Sequence, residues 1–444
     1  MSDQVTLHGA AKAIYIDTAT PAQTVPGGPV NSYTNADLAN SLLASANAGL
    51  AGAPGSTPIV LYTPNTASQV ANAANTALEL TGGRSAVSVT ALASTGVIFD
   101  ASANTDTISG GTASSQIFVG GKVSSGGGLV GGNFVYYTNH GAGTVVAGTG
   151  NDTIYSYGNH LIQLSGGNSS IVSSAGNDTI NLGLGNDTVS LTGGVTAADV
   201  VNATVVGLGA DTINLYSAGA GAVVNQLGNT NLDLIVRGGP ATVNGGTGST
   251  TVDASGSSGG FYQAGAGGGS LLIGGTGSTT LFGGGDGDRL VATGGTSYLA
   301  SFGDSAGDNN SLVGAASGST TLVGGGDGDT LVANNAATDL VATTVAGSQG
   351  SETLVGFSGG GNTFTFEDLG SGAPGENVIV SDFTVGNDTI ALQGFTAGEA
   401  ANALAGATTI AGAGGTITET IHLSDNTTVT FTNINGPLTG NNFS

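Results

Sequence analysis

Aspartates recur where a glycine turn meets a short aliphatic run, and their type and spacing suit coordination of a hard cation. Asp152, Asp178, Asp187, Asp211 and Asp388 each follow a glycine-led pair and precede Thr and then Ile or Val. Asp286, Asp288, Asp327 and Asp329 fall in two matching runs, Gly283-Gly284-Gly285-Asp286-Gly287-Asp288 and Gly324-Gly325-Gly326-Asp327-Gly328-Asp329, each leading into a Leu-Val strand. A carboxylate in a tight turn sits among backbone carbonyls, and calcium takes such oxygen sets. The chain carries 29 acidic residues against 5 basic ones, a net charge of −24, which selects cations as partners and excludes nucleic acid and anionic lipid. With no cysteine, disulfides and thiolate metal sites are absent.

Catalytic patterns are weaker. Two Gly-x-Ser-x-Gly matches, Gly256 to Gly260 and Gly356 to Gly360, lack the strand-turn-helix setting of a nucleophile elbow, and chance supplies such matches in a chain with 82 glycines. His8, His140, His160 and His422 are each followed by Gly or Leu, so no His-Glu-x-x-His pair exists. A carboxylate-only enzyme acting on polysaccharide remains formally open, but the chain has no Arg or Lys cluster to grip an acidic sugar. The expectation is a protein that is not an enzyme.

The elements that must position these acids are set by Gly150 to Val189, where a phrase of Gly-Asn, a variable slot, one residue and an aliphatic returns about every nine residues. Gly and Asn tolerate tight-turn backbone, whereas Thr, Ile and Val favour a strand. A strand this short cannot bury its apolar face alone, so successive coils must stack and share aliphatic rows such as Ile154, Ile162, Ile171, Ile180 and Val189. Two units close one coil. The slot then places Asp152, Ser169 and Asp187 on one edge and His160 and Asp178 on the other, with no adjacent same-side pair of aspartates within the stretch. Asn151, Asn159, Asn168, Asn177 and Asn186 could stack as an amide ladder that holds the coils without metal, and the sequence leaves calcium and ladder both open.

Gly176-Asn177-Asp178-Thr179-Ile180 and Gly183-Leu184-Gly185-Asn186-Asp187-Thr188-Val189 resemble the nonapeptide of the repeats-in-toxin family. The resemblance implies a parallel β-roll with Ca2+ between coils, an aromatic closing region and a C-terminal signal for type I secretion. The expected fold is accordingly mostly β, a parallel β-roll or β-solenoid with glycine-rich turns. Residues 1–140 are read as a mixed N-terminal cap with short helices, one from Ala36 to Ser45 capped by Asn35 and one starting at Thr66 or Ser68 and running to Leu80. In the same region Pro58 to Tyr62 and Gly96 to Asp100 read as strands. Residues 141–356 are read as degenerate repeats, with an insertion between Val189 and Gly209 and with Thr in place of Asp after Gly245 and Gly274. Residues 357–444 are read as a β-rich C-terminal cap with a hairpin and secretion signal.

Met1-Ser2-Asp3-Gln4 opens without a basic region or apolar run, so no conventional signal peptide is expected, and no segment resembles a membrane span. The functional expectation is a secreted calcium-binding structural protein, extracellular or on the surface of a Gram-negative cell, that polymerises into a surface layer, filament or biofilm matrix. Its low-Lys, Ala-, Thr-, Gly- and Asn-rich composition is similar to that of bacterial surface-layer proteins. A monomeric adhesin, with cell-surface polysaccharide as partner, is the alternative, and outward Thr rows leave an ice-binding surface as a third.

Overall fold

The structure, a computed structural model, describes residues 106–444 with breaks at 111–114, 121, 124–128, 131–132, 139–140, 193–203, 219–221, 302–308, 326–327, 343–350 and 369–374. It also gives the backbone of strands 60–62, 68–71, 77–80, 88–91 and 97–100. The chain is a parallel β-solenoid in which successive strands alternate between two sheets, so that two strands and their turns make one coil. It divides into two compact units, Met1–Asn214 and Leu215–Ser444.

In the first unit one sheet stacks Val60–Tyr62, Ala77–Leu80, Val97–Asp100, Ser115–Gly120, Gly141–Val146, Gly158–Gln163, Thr179–Asn181 and Thr204–Gly207, each parallel to the next. The other stacks Ser68–Ala71, Ser88–Ala91, Thr107–Ser109, Val135–Tyr137, Thr153–Ser156, Ser170–Ser173 and Thr188–Leu191. Register is set by the aliphatic at the centre of each strand. Ile154, Ile171 and Val189 align and are fully buried, as are Ile162, Ile180 and Val205 on the opposite sheet.

The second unit repeats the plan. Its inner column Leu272, Leu290, Leu312, Leu331 and Leu354 is wholly buried, each leucine against the same residue type one coil away. At its end Thr428–Ile434 adds in parallel to Asn377–Ser381, and Ile417–His422 then pairs antiparallel to it. The helix Glu399–Ala405, which the sequence pattern did not reveal, precedes this hairpin. Phe383 packs its ring against Phe364 and Phe431 near the end of the stack.

One expectation is corrected. The helix running to Leu80 is replaced by strands Ser68–Ala71 and Ala77–Leu80, because parallel pairing with Ser88–Ala91 and with Val97–Asp100 stacks this stretch on neighbouring coils, whereas an Ala-rich, weakly amphipathic helix has little packing to hold it. Parallel pairing of the same kind is present from Val60–Tyr62 in the first unit and up to Thr389–Gln393 in the second. The expected strands near 60 and 98 are observed as Val60–Tyr62 and Val97–Asp100. The expected helix over 36–45 lies outside the described residues.

Glycine in the repeat serves close approach as much as turn conformation. A Cβ on Gly185 would lie 1.3 Å from the Gly167 carbonyl oxygen, one on Gly209 would lie 1.4 Å from that of Gly185, and one on Gly167 would lie 2.1 Å from that of Gly150. Each coil thus rests its glycine directly on the carbonyl below, and no other residue fits the column.

Candidate functional site

The phrase Gly-Asn-slot places two side chains on opposite sides of the turn backbone. Asn151, Asn168 and Asn186 are exposed, and the following Asp152, Ser169 and Asp187 are buried. Both sets accept backbone hydrogen bonds from neighbouring coils, but in opposite directions along the stack. The Asn151 side-chain oxygen takes the Asn168 N–H at 2.7 Å, and that of Asn168 takes the Asn186 N–H at 2.9 Å, each reaching forward. Asp152 Oδ1 takes the Phe134 N–H at 2.8 Å, Ser169 Oγ takes the Asp152 N–H at 3.1 Å, and Asp187 Oδ1 takes the Ser169 N–H at 2.7 Å, each reaching back. Consecutive turn amides are therefore tied alternately to the coil before and the coil after.

On the other edge the same pair of bonds appears, Asn177 N–H to Asn159 Oδ1 at 2.7 Å and His160 N–H to Asp178 Oδ1 at 2.7 Å. The asparagine ladder read from the sequence is thus present, made of amide oxygens and backbone N–H groups. In the second unit the inward column continues as Ser270, Asp288, Asn310 and Asp329, each accepting the N–H of the slot residue one coil earlier at 2.7–3.0 Å.

The candidate acids then differ in their second oxygen. Asp288 Oδ2 accepts the Gly284 N–H at 2.8 Å, Asp329 Oδ2 accepts Ser301 Oγ at 2.6 Å and the Gly325 N–H at 3.2 Å, and Asp388 Oδ2 accepts the Thr384 N–H at 2.7 Å. Those carboxylates are spent on the fold. Asp152, Asp178, Asp187 and Asp211 each keep a buried Oδ2 without a well-formed hydrogen bond, although the Gly183 and Gly209 N–H groups still pull the Asp187 and Asp211 carboxyls down. Asp286 is exposed, and Asp327 lies outside the described residues.

Asp211 matters most among these. The break at 193–203 spans the insertion expected from the spacing, after which Asp211 settles directly beside Asp187: the Asp187 N–H donates to Asp211 Oδ1 at 3.0 Å across a separation of 24 residues. This is an adjacent same-side pair of aspartates that the nine-residue period conceals. Burial pushes Asp152 up from 3.8 to about 7 and Asp211 up to about 6, against the lowering effect of the Phe134 and Asp187 N–H groups; Asp187 is raised for the same reason. The Asp187 charge raises both Asp152 and Asp211 further.

The sequence pattern also gave no sign of Ser156, His160 and Asp178 as a group. Ser156 Oγ lies 3.0 Å from His160 Nδ1, and Asp178 Oδ1 lies 3.7 Å from the same nitrogen. The residue types are those of a hydrolytic triad, but serine and aspartate face one ring nitrogen and all three are buried, so no relay from acid through imidazole to nucleophile exists. Only the coil closure, which pairs neighbouring turns 18 residues apart, brings Asp178 to His160.

Among the described residues no three His, Cys, Asp or Glu side chains converge on one point. A cation held by Asp187 and Asp211 would draw its remaining oxygens from turn carbonyls and water, a mixture calcium accepts. The buried oxygens of this pair that lack a well-formed hydrogen bond fit that role, whereas Asp288, Asp329 and Asp388 do not offer such an oxygen. No described helix is long and apolar enough to cross a membrane.

Fold and site together define a parallel β-solenoid stitched by inward acids and outward amides. Compared with known proteins, the chain matches no family model, no curated protein and no solved structure.

Proposed function

We propose that the protein is a secreted, calcium-binding structural protein that self-assembles into an extracellular layer, filament or matrix. The observation that carries this reading is the pair Asp187 and Asp211, two buried carboxylates on adjacent coils, each with a buried oxygen that lacks a well-formed hydrogen bond. Two such acids at the spacing of one coil repel when ionised, and a divalent cation between them removes that repulsion while satisfying both oxygens. The surrounding scaffold supports a structural role: its polar side chains are committed to tying coil to coil, and the Ser-His-Asp group is buried and wrongly arranged for hydrolysis. At −24 the chain resists self-contact, so calcium serves assembly as well as folding.

Thermal melts in chelator, millimolar calcium and millimolar magnesium test the calcium step, with light scattering as the readout of assembly. Calcium at about a hundred times its dissociation constant adds ~2.7 kcal/mol, and magnesium adds less because it demands tighter octahedral geometry. Asp187→Asn with Asp211→Asn abolishes the calcium increment, and Asp288→Asn leaves it. Identical melts with and without calcium, or assembly driven equally by sodium chloride at matched ionic strength, would remove this reading.

A further inference from the structure

Side chains on each strand alternate inward and outward, so each sheet of the second unit has outer rows as regular as its core. On one sheet the outer row that includes Ala300, Val323 and Val341 is buried to 8% exposure or less, with Phe282 packed on it, so the chain covers that row itself. On the other sheet the row Ile273, Val291, Val313, Val332 and Val355 is in continuous register and each member is only half-buried. Beside it runs a second outer row, Leu271, Arg289, Ser311, Thr330, Thr353 and Ile379, apolar only at its two ends, the latter end 42% exposed.

From Leu271 to Ser381 these two rows carry no acid, and their one charge is Arg289, which is exposed and makes no ion pair among the described residues. In a chain of net charge −24 with only 5 basic residues, this is a surface on which two copies meet with little like-charge repulsion, the acid one coil before it, Asp253, being paired with Arg237.

We propose that this aliphatic row is a self-docking face, packed in the assembly against the same row of a second copy of this chain. Two such faces lie about 10 Å apart when sheets stack, with β-branched side chains of one row entering the gaps of the other. The contact is isologous, because the same row serves both copies. At roughly 4.8 Å per coil the row is about 20–25 Å long, and two outward residues per strand make it about 10 Å wide. That is roughly 300 Å² per copy, against about 800 Å² in a standard stable interface, so the isolated pair is weak and becomes persistent when many copies are arrayed. The proposal rests on the assembly reading but needs no calcium, since nothing in the row binds a cation.

The test is sedimentation velocity of the full chain in chelator, from micromolar to near-millimolar concentration, at low and high sodium chloride. The wild type is expected to dimerise reversibly, more strongly at high salt, because screening weakens the remaining acidic repulsion and leaves the apolar contact. Val313→Lys with Val332→Lys raises the half-dimer concentration about tenfold or more, since it sets like charges face to face. Val313→Thr with Val332→Thr keeps the β-branched shape and weakens dimerisation less. Melting curves check that both variants retain the fold. A wild type monomeric throughout overturns the face, as does a Lys variant that dimerises like the wild type. Protection of Val313 from hydroxyl radicals in the monomer also overturns it, because a segment of the same chain would then cover the row. Calcium-driven scattering is scored separately, so a failed face and a failed calcium reading give different results.

Discussion

Replacing Asp152 by Asn isolates the energetic consequence of burying an acid in the coil column. Asp152 is 1% exposed, gives Oδ1 to the Phe134 N–H at 2.8 Å and leaves Oδ2 without a partner. Burial raises its pKa from 3.8 to about 7. The folded chain therefore holds this proton more tightly than the unfolded chain does, so the contribution to stability is complete below about pH 4 and is lost as pH climbs through about 7. Three pH units at ~1.4 kcal/mol each make it about 4 kcal/mol. Asn keeps the Oδ1 acceptor and cannot ionise. It leaves a buried amide nitrogen unsatisfied, a cost of about 1–3 kcal/mol that the protonated acid shares in kind. Asn310 already occupies an equivalent slot, accepting the Asp288 N–H at 2.7 Å with its own Nδ2 unpartnered, so the fold accommodates the exchange.

Asp152→Asn is therefore expected to be near neutral at about pH 4 and to stabilise by about 2–4 kcal/mol at about pH 8 in chelator. Urea melts of the full chain across that range, followed by circular dichroism, read both values. Equal stability of the two chains at the alkaline end, or a wild type that gains stability between pH 5 and pH 8 without calcium, would refute the argument.

Two further expectations concern the stitching. Gly185→Ala meets the Gly167 carbonyl at 1.3 Å and should cost more than about 4 kcal/mol or prevent folding, whereas Gly287→Ala, at φ 73° with nothing within 4 Å, should cost only about 1 kcal/mol in a thermal melt. Asn168→Ala removes the acceptor of the Asn186 N–H at an exposed site, so it should cost no more than about 1 kcal/mol but visibly speed hydrogen exchange at the Asn186 amide; unchanged exchange there would mean that the ladder bond is not formed in solution.

The solenoid was legible because its signal is local. Gly, Asn and Thr-Ile or Thr-Val recur at a fixed period, and the same residues that favour turn and strand also stack on their own copies. The strands Ser68–Ala71 and Ala77–Leu80 escaped because they are held through parallel partners in neighbouring coils, a non-local gain that composition does not display. Of the site, residue identities were legible and orientation was not. A turn aspartate looks alike in sequence whether it faces solvent, as Asp286 does, or the interior, as Asp288 does. How well its second oxygen is bonded depends on how closely a backbone N–H four residues earlier, such as that of Gly284 or Thr384, closes on it.

Spacing within the column sets how strongly its buried acids repel, and it differs between Asp187 with Asp211 and the pairs that have a neutral residue between them. Asp152 and Asp187 are separated by Ser169, and Asp288 and Asp329 by Asn310, so in both cases a neutral acceptor keeps like charges two coils apart. At about 4.8 Å per coil and an effective dielectric constant near 20, two ionised carboxylates two coils apart repel by about 1.7 kcal/mol, and neighbours one coil apart by about 3.5 kcal/mol. The neutral residue therefore halves the repulsion without giving up the backbone bond, since Ser and Asn accept the same N–H. The 187–211 step lacks that spacer. A proton there quiets the repulsion only at acid pH, with Asp211 at about 6; a divalent cation does so at neutral pH, and the two compete for the same oxygens. Calcium affinity should therefore fall as pH drops through about 6, and Asp211→Asn, which places a neutral acceptor beside Asp187, should leave a column that folds without calcium and no longer responds to it.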